Sequence, residues 1–269
     1  MKKKLYLCIQ LLSVLLLGAC NLQKDIEVVL PAHEPQLVVE CYLEPGQPYR
    51  LSVLETVSYF DTPQIPVVPD AKVFITHNGR QIELPFKISF DEQYQKYYTH
   101  SSTEIVSGKP GDVYTLEVWD GTGRRVTGTT SLLQQVPIDT IEWRYNSKDE
   151  AILLTSFQDD TNTTNYYRYL VHSDSLQEGT NRDIVTDDAL VKGQQITFGS
   201  GYEFEKGDTL TVTLYHIEKK YHDFLNSVSN ARNSNGNPFG QPSKVKSAVT
   251  GGFGIFTTLV YDRKTVIID

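Results

Sequence analysis

The chain is poor in cysteine and methionine, with three cysteines and one methionine among 269 residues. Cys8 and Cys20 both lie near the N-terminus, so Cys41 has no cysteine partner in the rest of the chain. An exported chain with one remaining cysteine has no internal disulfide, and its stability must come from burial of a hydrophobic core. Cys41 lies in the strand-like run Leu37 to Tyr42, where we interpret it as a small buried hydrophobe rather than a reactive thiol.

A hydrophobic run long enough to span a bilayer is also missing, because Leu5 to Leu17 falls short of the roughly 20 apolar residues that a span needs. Lysines precede this run, and small residues and then Cys20 follow it. This order is typical of a bacterial lipoprotein signal. We predict a signal peptide over residues 1–19 and a lipidated Cys20 that begins a tether over residues 20–34. The alternatives are a membrane-spanning helix and an ordinary signal peptide with a chance cysteine.

Basic residues are in the minority, with 25 Lys and Arg against 33 Asp and Glu and a formal charge of −8. Loss of residues 1–19 would remove three lysines and no acids, leaving 22 basic residues, 33 acidic residues and a formal charge of −11. Proteins that bind nucleic acid carry clustered Lys and Arg for the phosphates. We therefore predict no nucleic-acid partner, and a membrane contact made through the N-terminal lipid.

Tyrosine and phenylalanine are frequent, at 16 and 11 residues, and this composition favours β-structure. Asn78-Gly79 is typical of a tight hairpin turn. We predict a first β-sandwich over residues 35–134, immunoglobulin-like or transthyretin-like in type. Short alternating segments bounded by turn residues predict its strands over residues 36–43, 49–57, 71–77, 81–86, 94–99, 112–119 and 124–130.

The strand pattern restarts after a proline, which places a predicted domain boundary at residues 134–137. Apolar residues at helical spacing predict one helix over about residues 218–232, with Phe224 and Leu225 on its buried face. The predicted fold class is therefore all-β: two consecutive β-sandwich domains, the second fibronectin-like, over residues 135–269, and carrying the helix. Its strands are predicted over residues 138–145, 150–157, 165–172, 183–187, 194–199, 208–216, 254–261 and 264–268.

Motifs that identify a metal or cofactor site are missing. The six histidines lack metal-ligand spacing and there is no Cys-x-x-Cys, so we predict no metal and no cofactor. Gly251 to Gly254 lacks the Lys-Ser/Thr of a phosphate loop, and its glycines are interpreted as a bulge or a close backbone approach. The acidic loops Asp159 to Asn162 and Asp187-Asp188 offer calcium-type ligands, but solvated turns are the favoured interpretation.

Motifs of catalysis are missing as well, since there is no nucleophile elbow and no Ser-x-x-Lys. A catalytic pair of carboxylates is still an alternative, because a sequence does not give the distance between two acids. We predict no catalytic residues and a protein that is not an enzyme. A hydrolase with an unrecognised site is retained as a third alternative.

Several short motifs occur in an order that resembles a known family, and together they extend over nearly the whole chain after the signal. They are Cys20, Leu37 to Tyr42, Gly108-Lys109-Pro110-Gly111, Val136-Pro137-Ile138-Asp139, Phe157-Gln158-Asp159-Asp160, Asn165-Tyr166-Tyr167-Arg168, and Asn237-Pro238-Phe239 before Gly251-Gly252-Phe253-Gly254. The family is the Bacteroidota outer-membrane lipoprotein group catalogued as domain of unknown function 4249.

The resemblance implies a lipid-anchored lipoprotein of the outer membrane, often encoded beside a TonB-dependent transporter, and it supplies no catalytic residues. Asp25 and Glu27 partly match the acidic run that directs such lipoproteins outward, so we expect the cell-surface side rather than the periplasmic side. The expected function is that of a non-enzymatic accessory or ligand-capturing subunit beside a TonB-dependent β-barrel transporter. The alternative is an adhesin-like or structural scaffold lipoprotein of the cell envelope.

Binding residues are predicted in the segment from Asn233 to Gly254, which is long and rich in Asn, Gly and Ser, as a binding loop can be. Asn237, Pro238 and Phe239 are the candidate binding residues. An ordered crossover that closes the sandwich is an equally weighted alternative.

The lipid anchor is tested by the variant Cys20→Ala. Because thioether lipidation needs the Cys20 sulfur, the variant should leave the membrane fraction or accumulate as unprocessed precursor. Cell fractionation and metabolic labelling with a fatty-acid analogue measure both outcomes. Cys8→Ala is the control, since it removes a cysteine from the signal without altering the lipid site, and unchanged labelling of Cys20→Ala would refute the assignment.

Overall fold

The computed structural model describes residues 34–58, 65–160, 163–234 and 243–269, of which the residues from Pro35 onward form one compact unit. Its composition of strands with a single described helix confirms the all-β fold class. The first strands are β1 (Leu37–Leu43), β2 (Pro48–Glu55), β3 (Lys72–His77), β4 (Arg80–Glu83), β5 (Phe86–Asp91), β6 (Lys96–Ile105), β7 (Val113–Trp119) and β8 (Arg125–Ser131). The later elements are β9 (Thr140–Tyr145), β10 (Ala151–Gln158), β11 (Tyr166–Ser173), β12 (Arg182–Asp187), β13 (Gln195–Phe204), β14 (Thr209–Ile217), α1 (Lys219–Ser234), β15 (Phe253–Thr258) and β16 (Val260–Ile267).

Alternating side chains explain why these segments form strands. Every second residue of β1 is buried from Leu37 to Leu43, while the residues between them lie on the opposite face of the sheet. The turn between β3 and β4 consists of Asn78 and Gly79, whose φ angles are 49° and 75°. Positive φ at both central residues is what a tight hairpin turn requires, so the predicted hairpin is confirmed.

The first sandwich is formed by two sheets with the strand orders β15-β1-β2-β6-β5 and β4-β3-β7-β8. Their facing sides share one hydrophobic core that contains Tyr49, Tyr114 and Phe256. Cys41 lies in this core without exposed surface and without a disulfide partner among the described residues. Burial raises the pKa of its thiol, which confirms that Cys41 is a buried hydrophobe rather than a reactive group.

The second sandwich is formed by sheets with the strand orders β13-β10-β9 and β12-β11-β14-β16. Its separate core contains Phe157, Tyr167, Tyr169 and Phe204, all buried. The hydroxyl groups of Thr155 and Tyr169 lie 2.8 Å apart and satisfy each other inside this core.

Strand β15 belongs to the first sandwich, so the prediction that placed it in the second sandwich is wrong. It pairs in parallel with β1, from Val38 beside Phe253 to Leu43 beside Thr258. Gly254 makes this pairing possible, because its φ is +121° and a Cβ atom there would lie 1.8 Å from the carbonyl oxygen of Val39. The interpretation of these glycines as a close backbone approach is therefore confirmed.

Helix α1 bridges the two sandwiches rather than covering one of them. It contacts β11 and β12 of the second sandwich and β15 of the first. Tyr221 and Ser227 are its buried residues, and Phe224 and Leu225 are half-buried against a third apolar cluster that lies between the sandwiches. The predicted helix is confirmed, with bounds close to those expected.

The carboxylate of Glu218, immediately before α1, connects the helix to strand β8 by hydrogen bonds. The side chain of Glu218 accepts hydrogen bonds from the Thr130 hydroxyl at 2.6 Å, and from the Ser131 amide and hydroxyl at 3.1 Å and 3.0 Å. Strand β8 ends and β9 begins on either side of residues 134–137, but β15 crosses back over that boundary. The division into domains at residue 135 stays a prediction.

Gly254→Ala tests the parallel pairing. A side chain at this φ and this distance from the Val39 carbonyl should displace β15, and backbone strain alone costs about 1–3 kcal/mol. We expect a lower free energy of unfolding in urea by at least that amount. Gly179→Ala is the matched control, because an added Cβ meets nothing within 4 Å there; equal stability of the two variants would contradict the pairing.

Candidate functional site

The outward faces of two sheets meet between the sandwiches and form the candidate site. Because β1 and β11 each bury one face in their own core, Glu40 and Tyr42 point away from the first core, and Arg168 and Leu170 point away from the second. These outward faces lie against each other across a third apolar cluster that includes Tyr42 and Leu170. We call the space between them the inter-sandwich cleft.

The side chains of Tyr42, Arg168 and Tyr221 divide this cleft into two cavities, and all three line both of them. Arg168 donates to both carboxylate oxygens of Asp183, at 2.9 Å and 2.7 Å, and to the Tyr221 hydroxyl at 3.0 Å. The Tyr221 and Tyr42 rings lie 5.7 Å apart. Burial raises the pKa of both tyrosines, so both stay neutral and serve as hydrogen-bonding walls rather than as charges.

A cavity of about 820 Å³, the helix-side cavity, lies on one side of this divider. Phe224, Leu225 and Val228 of α1 line it together with Ile255 of β15. Its wall is therefore the helix face that the sequence predicted to be buried, and Phe224 and Leu225 on that face are only half-buried.

A cavity of about 260 Å³, the tyrosine pocket, lies on the other side. Two of its guanidinium groups stack on aromatic rings. Arg50 lies 4.5 Å from the ring centroid of Tyr98, which also lines the pocket, and Arg263 lies 4.5 Å from the ring centroid of Tyr261, which does not line it. Cation–π contacts of this kind hold a flexible side chain in one orientation. Its lining residues that matter for the chemistry are Arg50, Tyr94, Tyr98, His172, Tyr215 and Arg263.

His172 is the unusual member of the tyrosine pocket. His172 is only 8% exposed, and its Nδ1 atom has no hydrogen-bond partner among the described residues. Burial lowers the pKa of His172, and the positive charges of Arg263 and Arg168 lower it further. The imidazole is therefore neutral at physiological pH and offers one donor and one acceptor nitrogen.

The acidic loops come together in the structure, but not as a solvated turn. The Asn165 side chain donates to Asp159 at 3.2 Å and to Asp188 at 3.3 Å, and Tyr167 also donates to Asp159. Both acids are buried, at 3% and 0% exposure, so the solvated-turn interpretation is wrong for them. Backbone amides also donate to them, Gly193 to Asp159 at 2.7 Å and Asn165 to Asp188 at 2.9 Å, while Asp188 Oδ1 has no hydrogen-bond partner among the described residues. Asp187 does make the expected local bond, to the amide of Ala189 at 3.1 Å. In the described ranges no group of three or more His, Cys, Asp or Glu is placed to hold a metal ion.

The candidate residues named from the sequence lie outside the described residues. They are Cys20, Asn237, Pro238 and Phe239. In the part of the chain that the structure describes, no helix is long and apolar enough to cross a membrane.

The sequence pattern does not mark Arg168, His172 or Arg263 as site residues. They lie on the outward faces of β11 and β16, where polar residues normally meet water. A signal was nevertheless present, because Leu170 and Tyr215 share these outward faces. Apolar residues on both faces of β11 and β14 indicate a second covered surface.

The sequence model of the family described as domain of unknown function (DUF4249) matches residues 23–265. No curated protein matches the chain. A solved structure described as a cytokine receptor complex aligns with 86% of this chain and 96% of its own, at 8% identity and a TM-score of 0.29.

The anchoring of α1 is tested by comparing two truncations. Tyr221→Ala removes a buried ring that also holds Arg168, and a buried aromatic truncation costs about 3–5 kcal/mol. Phe224→Ala removes a half-buried ring at the wall of the helix-side cavity and should cost clearly less. Urea denaturation of both variants measures the difference, and an equal or reversed order would show that Tyr221 is not the anchor.

Proposed function

This chain belongs to the family of domain of unknown function 4249, and we propose that it is a non-enzymatic, lipid-anchored protein that captures a ligand in the inter-sandwich cleft. We further propose that it does so as an accessory subunit of an outer-membrane β-barrel transporter of the TonB-dependent type. The proposal assigns no catalytic residue, metal or cofactor.

The tyrosine pocket is the observation that carries the ligand-capturing role. Ligand sites in proteins are concave, mostly apolar, and supplied with a few well-placed polar groups. The pocket combines tyrosine rings with an unpartnered imidazole nitrogen on His172 and with the guanidinium of Arg263. Both groups are held by strands, so the site is rigid before a ligand arrives.

The anchoring and the partner are supported by the sequence. The apolar run that ends at Cys20 supports a lipid anchor, and several acyl chains would make that attachment stable. The family resemblance supports membership of the Bacteroidota lipoproteins, an outer-membrane location and a transporter partner. Asp25 and Glu27 support placement on the cell-surface side.

One observation favours the alternative of an adhesin-like or scaffold protein. Strand β5 lies at the edge of its sheet, and its side chains Ile88 and Phe90 are 55% and 43% exposed. An exposed edge strand with apolar side chains is suited to pairing with another chain. A second copy of this protein is the partner that such an edge would take in a scaffold.

Purification of the tagged full-length chain from detergent-solubilised membranes tests the proposal. We expect a β-barrel transporter to co-purify, and deletion of residues 233–241 to abolish its recovery while the chain stays folded by circular dichroism. Leu190→Ser, which alters a side chain 95% exposed on a different loop, is the control and should retain the partner.

The other outcomes of this purification separate the alternatives. Self-association or matrix binding without a barrel would favour the scaffold, and loss of self-association in Ile88→Lys would assign it to β5. Turnover of a substrate by the purified chain would favour a hydrolase. A folded deletion variant that still recovers the transporter would remove residues 233–241 from the interface.

A further inference from the structure

Four cationic side chains line the tyrosine pocket, and three of them are neutralised by the protein itself. Arg50 pairs with Asp91, the Lys96 ammonium lies 2.7 Å from Glu40, and Arg168 lies 2.7 Å from Asp183. The fourth, Arg263, makes no ion pair with a carboxylate of the described residues. The pocket therefore holds one guanidinium whose charge is not matched by an acid in direct contact.

Neutral groups fix Arg263 in position. Its Nε donates to the Thr213 hydroxyl at 2.9 Å and its Nη2 to the Tyr215 hydroxyl at 3.3 Å, while its guanidinium lies over the Tyr261 ring. A further hydrogen bond joins it to Tyr94. A guanidinium has five N–H donors, so these contacts orient the group and leave donors for a ligand.

His172 supplies the second, independent indication of a ligand. A buried polar atom without a hydrogen bond is costly and therefore rare. The Nδ1 atom of His172 is such an atom, and it lines the same pocket as Arg263. A ligand oxygen that accepts from this nitrogen would satisfy it.

The remaining acid of the pocket limits the charge of that ligand. Glu44 also lines the pocket, where it accepts a hydrogen bond from the Tyr261 hydroxyl, and it makes no ion pair with the described residues. A carboxylate beside the site disfavours ligands that carry two or more negative charges. Repulsion from the Glu44 carboxylate is smallest for a ligand with a single negative charge, which Arg263 still attracts.

The size and walls of the pocket indicate the rest of the ligand. A volume of about 260 Å³ corresponds to roughly nine water molecules at about 30 Å³ each, which is enough for a small organic molecule. Tyr98 and Tyr215 are buried and give the pocket aromatic walls that pack against flat or apolar groups.

The geometry points to a site for a small organic monocarboxylate, with its carboxylate on Arg263 and His172 and its apolar body between the tyrosines. The inference rests on the proposed ligand-capturing role and names the ligand class. Charge-assisted hydrogen bonds from a guanidinium fork match a carboxylate in both geometry and strength.

Isothermal titration of the mature chain with benzoate tests this site. Benzyl alcohol has the same ring without the charge, and inorganic phosphate has the charge without the ring. We expect saturable binding of benzoate, at least about tenfold tighter than that of benzyl alcohol or phosphate, because loss of one charge-assisted hydrogen bond is worth about that factor.

Variants assign the binding to the two residues. Arg263→Gln should weaken benzoate binding about tenfold or more, and His172→Phe several-fold, since phenylalanine fills the space without a donor. Arg182→Gln is the matched control, because Arg182 pairs with Glu203 at 2.8 Å and does not line the pocket. If Arg263→Gln fails to fold, Arg263→Lys is the second variant. It keeps the positive charge but lacks the two-pronged guanidinium, and it should still weaken benzoate binding several-fold.

Three results would overturn the inference: no saturable benzoate binding up to its solubility limit, equal binding of benzoate and benzyl alcohol, or unchanged affinity in folded Arg263 variants. Tighter binding of phosphate would instead assign an inorganic anion. The titration uses the purified chain without membrane or transporter. Its failure is therefore distinguishable from a failure to co-purify a β-barrel.

Discussion

The parallel pairing of β15 with β1 is the contact on which the remaining architecture depends. β15 and β16 are separated by a single residue, Leu259, yet they belong to sheets of different sandwiches. Because consecutive Cα atoms lie about 3.8 Å apart, this short step brings the two outward sheet faces within side-chain reach. The inter-sandwich cleft is thus a result of topology, and Glu218 and Tyr221 reinforce an approach that the chain path already imposes.

The composition of the cleft follows from its partial burial. Two apolar faces would close into one continuous core, whereas two polar faces would separate in water. Tyrosine suits the intermediate case because its ring buries apolar area while its hydroxyl keeps a polar partner. Tyr42 shows both properties, since its ring lies under the Lys96 ammonium at 4.3 Å and its hydroxyl donates to Glu40 at 3.0 Å. Five tyrosines, Tyr42, Tyr94, Tyr98, Tyr215 and Tyr221, therefore line the tyrosine pocket, while others lie in the two cores.

Local features of the fold were predictable from the sequence, whereas its long-range partners were not. Alternation identified β1, β7 and β14, and the Asn78-Gly79 pair identified a hairpin, because both signals depend on neighbouring residues. Helical spacing identified α1 in the same way. Nothing in the residues from Phe253 to Thr258 specifies that they pair with β1 rather than with a strand nearby. The candidate site depends on that pairing, so the sequence did not single out His172 or Arg263 as site residues.

The position of β15 also has a consequence for how the protein is made. A chain is synthesised from its N-terminus, and strands β1 to β8 emerge long before β15 does. Until Thr258 is available, the backbone groups of β1 that later pair with β15 remain an open sheet edge. Pairing between distant parts of a chain is slow, and open edges attract other chains. The first sandwich therefore completes only after Thr258 has been synthesised, and its unfinished edge is open to other chains in the interval.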